Sequence, residues 1–421
     1  MSQDSKWRWH LRQLGRKVWV RAVAYGVVSV ATALAARLLR QVIPDGLSDL
    51  IGVSAAESLL SILASSMLAV TTFSLSISVQ AFSAATTNAT PRATELLMTD
   101  RTTQSVLATF IGAFIYSLVG IIALRFGFYG DAGRVVLFFV SVAVVALVIA
   151  ALIRWIGHLT YFGRLGDTIA RLEDAAGQAM RWRVANPYLG GQPLRGAPPS
   201  TALALPPTKI GYVQHIDMDD LNTIATANDL TLFVAAVPGT FVHPEAALLH
   251  ALGLPQEGAA RQALVDDLCD AFSIAATRTY AQDPRFGLIA LAEVAQRALS
   301  PAVNDPGTAI DVLGRLVRIL GLWRDLDESQ PPRFARVFVP VLRADDMMQD
   351  AFAPIARDGR GLFEVQMRLQ KSLAAVAALA SDYLGAAARD QSARAVTLAD
   401  LPLPQERQQL EAAAAWSHAG A

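Results

Sequence analysis

SLLSILASSMLAVTTFSLSISVQAFSAATTNATP, residues 58–91, carries no charged side chain from end to end. As a helix rising about 1.5 Å per residue it is about 50 Å long, whereas a bilayer core is about 30 Å thick. Such a segment crosses a membrane with strong tilt, or projects from it as a stalk. Working outward, three more apolar stretches meet the same length rule: Val18 to Val42 before it, and Thr102 to Leu124 and Val135 to Ile153 after it. Turn chemistry separates them, as at Pro44-Asp45-Gly46 and Tyr129-Gly130-Asp131. The expected fold class is membrane α-helical: a four-span bundle over 18–158, with helices at about 18–42, 55–85, 102–125 and 134–156, followed by a cytoplasmic α+β domain that is mostly helical.

Composition supports that division. Charged residues are 17% of the chain and hydrophobic ones 53%, against about 25% charged in an average soluble domain. The deficit is local, falling between Arg21 and Arg154. A formal net charge of +0 supplies no field for nucleic acid. Cys269 is the single cysteine, which excludes an internal disulfide and suits a reducing compartment. Ala33-Leu34-Ala35 satisfies the cleavage rule of a signal peptide, but the apolar run continues past it, so the first stretch reads as a span.

Basic residues set the orientation. Lys6, Arg8, Arg12, Arg16, Lys17 and Arg21 precede the first span, Arg92 and Arg101 occupy the second inner link, and Arg154, Arg164 and Arg171 follow the fourth span; Asp45, Asp49 and Glu57 occupy the first outer link. The positive-inside rule then puts both termini in the cytoplasm of a bacterium, with the bundle in its inner membrane. In the basic segment 1–17, Trp7, Leu11 and Leu14 continue to Val18 at helical spacing. An interfacial helix on anionic lipid and a simple topology signal both explain it.

The second span is rich in hydroxyls. Ser54, Ser58, Ser61, Ser65, Thr72, Ser76 and Ser83 project within an arc of about 60°, interrupted by Leu68 and Val79, while Thr71, Ser74 and Ser78 lie opposite. Ser58, Ser61, Ser65, Thr72 and Ser76 are the candidate lining of a hydrated path. Equally, small hydroxyl residues let membrane helices approach closely. No Asp, Glu, Lys or His sits mid-span, which argues against a proton-coupled carrier.

Beyond the spans, 159–207 reads as a helical extension to about Val184 and a Pro/Gly-rich linker. A small β-rich module follows over 208–257, with strands at Ile210–Ile216 and Leu230–Val237 around a helix capped by Asp217. A helical domain covers 258–400, where Asp283-Pro284 and Asp305-Pro306 each open a helix and Arg336–Val341 reads as a strand. Residues 401–421 form a C-terminal tail whose Glu411–Ala415 is helical or frayed. His215, Asp217, His243 and His250 are too few in pattern for a metal site, and no metal or cofactor is expected. Neither a phosphate-cradling glycine loop nor a nucleophile elbow is present, so no enzyme is expected. Arg278, Asp283, Arg285, Asn304 and Asp305 gather polar groups at helix ends, as a ligand pocket or as caps with an ion pair.

Arg278-Thr-Tyr-Ala-Gln-Asp-Pro-Arg-Phe-Gly287 and Arg297-Ala-Leu-Ser-Pro-Ala-Val-Asn-Asp-Pro-Gly-Thr-Ala309, with Gly211-Tyr-Val-Gln214, Ile216-Asp217 and Pro238-Gly-Thr-Phe-Val242, resemble the bacterial predicted membrane proteins grouped as domain of unknown function 2254. Phe114-Ile-Tyr-Ser-Leu118 fits the same family. The resemblance implies membrane location and this architecture, but no substrate and no catalytic residues. The expectation is a homo-oligomeric inner-membrane protein, in contact with lipid, that forms or gates a path for a small solute or ion under a cytoplasmic regulatory domain. The alternative is a membrane-anchored sensor or assembly scaffold without conduction.

Overall fold

A computed structural model describes residues 27, 31, 53–98, 100–325, 327, 329 and 331–418. The basic segment 1–17 and all of the expected first span except Val27 and Ala31 lie outside the described residues. The chain divides into two units, one containing residues 94–168 with the stretch ending at Thr87, the other residues 88–93 and 169–421.

The first unit is built on α1 (Val53–Asn88), α3 (Arg101–Arg125) and α4 (Gly130–Leu159), with the short α2 (Pro91–Met98) between. Among the described residues these three long helices have the length and apolarity to cross a membrane. Helices α1 and α4 are a few residues longer than the sequence pattern suggested, and α3 matches it to within one residue. Helix α1 buries Leu60, Leu63, Met67, Ser74, Ser78, Ala81 and Ala85, a three-four spacing that keeps one seam turned inward. Leu63 and Met67 pack with Val106, Phe110, Val148 and Trp155, and Leu60 with Tyr116 and Leu137. Tyr116 Oη and Ser141 Oγ share a hydrogen bond of 3.1 Å, so the polar atoms within this core find each other. Asp100 caps α3 by accepting from the Thr103 amide at 2.7 Å.

The second unit begins with α5 (Leu165–Ala185), whose first residues lie in the other unit. The chain reverses after it at Tyr188 and Leu189, both at positive φ (52° and 56°), with Leu189 buried. The strands are β1 (Gly191–Leu194), β2 (Leu203–Leu205), β3 (Gly211–Ile216), β4 (Thr231–Val234), β5 (Phe241–Val242), β6 (Leu249–Leu252), β7 (Phe272–Ala275) and β8 (Phe334–Pro340). They form a five-stranded sheet ordered β1-β8-β4-β6-β2 and a three-stranded sheet ordered β5-β3-β7. Strand β8 runs parallel to both β1 and β4; the remaining pairs are antiparallel. The β-structure therefore extends well beyond 208–257: the Pro/Gly-rich linker supplies β1 and β2, and distant segments supply β7 and β8. Helices α6 (Met218–Ala227) and α7 (Ala259–Asp270) share one apolar core with both sheets, through Leu221, Leu268, Val213 and Val337.

A helical layer completes the unit: α8 (Pro284–Ala298), α9 (Pro306–Leu320), α10 (Ala344–Asp358), α11 (Phe363–Leu379), α12 (Ser381–Leu398) and α13 (Pro404–Ala414). Leu288, Leu291, Leu313, Leu316, Phe352, Ile355, Leu369 and Leu373 are fully buried in it. Each such side chain contributes about 1.5–3 kcal/mol of apolar burial. The C-terminal segment is helical and packed rather than frayed, since Leu410 joins Leu401 and Ala399 in a buried cluster.

Both Asp-Pro pairs open helices as expected. Asp305 Oδ1 accepts from the Thr308 amide at 3.1 Å and Oδ2 from the Thr308 hydroxyl at 2.6 Å. Those bonds from Thr308 hold the carboxyl below its ordinary range. A depressed folded pKa adds stability above the unfolded value, about 3.9, that is lost as pH falls through the folded one. Asp305→Ala should cost about 1 kcal/mol, a fall of roughly 2–4 °C in a thermal melt. Loss of a ligand response with melting unchanged would instead make Asp305 part of a binding site.

Candidate functional site

Segments far apart in sequence meet at Asp283, which is 3% exposed. As the residue before α8 it accepts from the Phe286 amide through Oδ1 at 3.2 Å. Its Oδ2 receives Arg278 Nε and Nη2, each at 2.7 Å. Gly239 lies directly over this pair. It holds φ 93°, and a Cβ there would overlap the Asp283 carboxylate, so the turn needs glycine twice over. The Gly239 amide donates to Val213 O at 2.8 Å. Gln282 Oε1 accepts from the Ile216 amide at 3.1 Å, and Gln214 Nε2 donates to Thr277 O at 2.7 Å. The stretches 211–217, 238–242 and 278–287 are thus one hydrogen-bonded junction.

A second arginine reaches the junction from α5. Arg183 is 4% exposed, and its Nη2 donates to Gln282 O at 3.1 Å. Burial pushes its pKa down to about 10, against the opposing pull of the Asp283 charge. Burial also pushes the Asp283 carboxyl up, opposed chiefly by the charge and hydrogen bonds of Arg278. Chemically the centre offers cationic hydrogen-bond donors in a dry setting.

The other members of the sequence cluster go elsewhere. Arg285 pairs with Asp346 at 2.7 Å and Asp350 at 2.6 Å on α10. Asn304 adopts φ 48° in the turn before α9, and Asp305 caps that helix. The five residues therefore serve three separate jobs. Strand β3 ends at Ile216, so Asp217 leaves the His215 face and caps α6, its Oδ1 accepting from the Asp220 amide at 3.1 Å. Among the described residues, no three His, Cys, Asp or Glu side chains come together as a metal site would require.

On α1, Ser58, Ser61, Ser65, Thr72 and Ser76 are exposed and point away from the described helices of their own unit, while Ser74 and Ser78 are buried. Ser65 Oγ donates to Ser61 O at 3.0 Å, and Thr72 Oγ1 to Ala69 O at 2.9 Å, so these hydroxyls bond their own helix.

Other contacts are invisible to pattern reading. Residues 88–93, at the end of α1 and just after it, belong to the globular unit. There Thr90 Oγ1 donates to Glu293 Oε2 at 2.8 Å, Arg92 pairs with the same carboxylate, and Tyr280 Oη donates to Arg92 O at 3.3 Å. A lone acid in the apolar run Leu288–Val294 was the available signal for Glu293. Separately, His158 Nε2 at the end of α4 lies 3.2 Å from Asp100 Oδ2. Nothing in the spacing of that pair announces it.

Apolar helices of spanning length, joined to an α+β unit with a buried charge centre, define a membrane protein with a large attached globular part. The chain belongs to the family of predicted membrane proteins termed domain of unknown function 2254, whose model matches residues 15–375. Uncharacterized proteins of Mycobacterium bovis and Mycobacterium tuberculosis are similar to it, each 29% identical over 273 residues, covering 62% of this chain and 51% of the relative. The chain spans about half the length of the curated relatives it matches. No solved structure matches it.

Proposed function

We propose that the protein is a homo-oligomer of the bacterial inner membrane in which copies of α1 surround an axis and form or gate a solute or ion path. The globular unit lies in the cytoplasm and regulates it, and no catalytic step is involved. One observation carries this reading: α1 is an uninterrupted helix from the hydroxyl stripe to Asn88, and the residues directly after it are held by Glu293 of α8. The proposed route of regulation is this tie between Glu293 and the residues that follow α1. The stripe faces out of its own described bundle, so a water path along it requires other copies.

The test is cysteine substitution at Ser61, Ser65 and Thr72 in a Cys269→Ser background, with a charged thiol reagent applied to intact membranes. Thiolate chemistry needs water, so a path predicts labelling along the stripe and none at Ser78→Cys on the buried face. Leu68 and Val79, both about half exposed, are placed to act as apolar gates at which labelling stops. Silence at every stripe position, in folded protein, would sink the path. It would favour the anchored-sensor alternative, which the back-bonded hydroxyls of Ser65 and Thr72 support because such a face tolerates lipid.

A further inference from the structure

Behind the Asp283 junction, the buried guanidinium of Arg183 meets a small, partly open cavity of about 20 Å³, lined also by Tyr188, Trp323, Leu342 and Tyr383. Two buried donors belong to its lining residues: Arg183 Nε and Trp323 Nε1, neither of which has a hydrogen-bond partner among the described residues. Trp323 is 4% exposed and its ring packs against that of Tyr383, 5.1 Å between centroids. Tyr383 Oη donates to Leu342 O, so that hydroxyl hydrogen is engaged in the wall.

Charge separates the candidate occupants. The carboxylate nearest to Arg183 in sequence logic is Asp283, but its ion pair is with Arg278, and Arg183 has no ion-pair partner among the described residues. A buried cation whose nearest carboxylate already holds another arginine is heavily penalised, and a neutral water would answer the hydrogen bonds but not the excess charge. Size settles the rest. A volume of about 20 Å³ admits one particle of roughly water size. Phosphate, carboxylates and nucleotides are too large, and a cation would face the guanidinium.

We propose that this cavity is a binding site for a single halide ion, chloride under physiological conditions, held between Arg183 Nε–H and Trp323 Nε1–H. The site lies within the globular unit and does not depend on whether the protein conducts. The halide completes the charge balance of α5 against the junction, so its occupancy tightens the contact between the end of α5, the reversal at Tyr188 and the segment 341–342. It gives the globular unit a means of sensing the anion content of its compartment.

The experiment uses the full chain in detergent or nanodiscs, at constant ionic strength, with sodium chloride or bromide exchanged for sodium gluconate. Expected are a saturating rise of several degrees in melting temperature in either halide over gluconate, and broadening of the chlorine NMR line that bromide relieves by competition. Arg183→Gln abolishes both. Should that variant fail to fold, Trp323→Phe removes one donor and keeps the ring, and halide affinity falls about tenfold or more. Identical melting in all three salts, with no line broadening, would mean that the cavity holds only water. A halide response that persists unchanged in Trp323→Phe would place the ion elsewhere. Either result overturns the assignment.

Discussion

Asp283→Ala should lower the unfolding free energy of the globular unit by about 3–5 kcal/mol, the usual cost of removing one partner from a buried ion pair. Arg278 would be left beside an empty position, and Arg183 would lose the nearest negative charge. The first turn of α8 would lose its cap as well, about 1 kcal/mol within the same total. On a thermal melt this is a fall of roughly 6–20 °C. The double variant Asp283→Ala, Arg278→Met should recover part of the loss, because no unpaired Arg278 charge remains. A single-variant loss below about 1 kcal/mol would show that Asp283 acts only as a cap, and the junction would not be the electrostatic centre described above.

The second large effect is steric. Gly287 on α8 crosses α5 so closely that a Cβ there would overlap Ala176 Cβ and lie 2.7 Å from Ala176 Cα. Ala176 is fully buried and cannot swing aside, since the obstruction includes backbone. Replacing a helical glycine by alanine ordinarily gains about 1 kcal/mol from propensity. Overpacking at a site without slack costs about 1–3 kcal/mol, more where backbone must move, so the clash wins. Gly287→Ala is expected to destabilise, and Gly287→Val more strongly, with the halide response weakened because α5 carries Arg183. A raised melting temperature for Gly287→Ala would mean that the two helices separate at little cost.

The sequence discloses elements whose cause is local. Helices α1, α3 and α4 follow from apolar length, and α8 and α9 from an aspartate before a proline. What it conceals depends on partners far along the chain. Residues 191–194 and 203–205 read as linker because proline and glycine dominate there, yet they pair with β8 and β6. Arg183 stands in a helix whose charges suggest a solvated face; its burial is decided by Trp323 and Tyr383, which no periodicity links to it. Glu293 finds Arg92 across 201 positions. For Arg278, Asp283, Arg285, Asn304 and Asp305 the sequence left a ligand pocket and caps with an ion pair both open. The structure has Asp283 and Asp305 as caps and Arg278 paired with Asp283, while the helix starting at Pro284 turns Arg285 away toward α10. The hydroxyl stripe on α1 was legible as a face. Which way that face points depends on the neighbouring helices.

The position of β8 between β1 and β4 carries a consequence for how the chain is made. This inner strand of the larger sheet is the last of its five to be synthesised, although both of its neighbours appear long before it. At about 5–20 residues per second, β1 leaves the ribosome on the order of ten seconds before β8 follows. Throughout that interval two strand edges stand open beside a nascent chain whose apolar helices are already seeking a bilayer. Open edges recruit foreign strands, so this protein has a window in which delay is hazardous. A chain cut short anywhere between β6 and β8 would keep that window open permanently, and such fragments should aggregate or be degraded rather than persist as soluble domains.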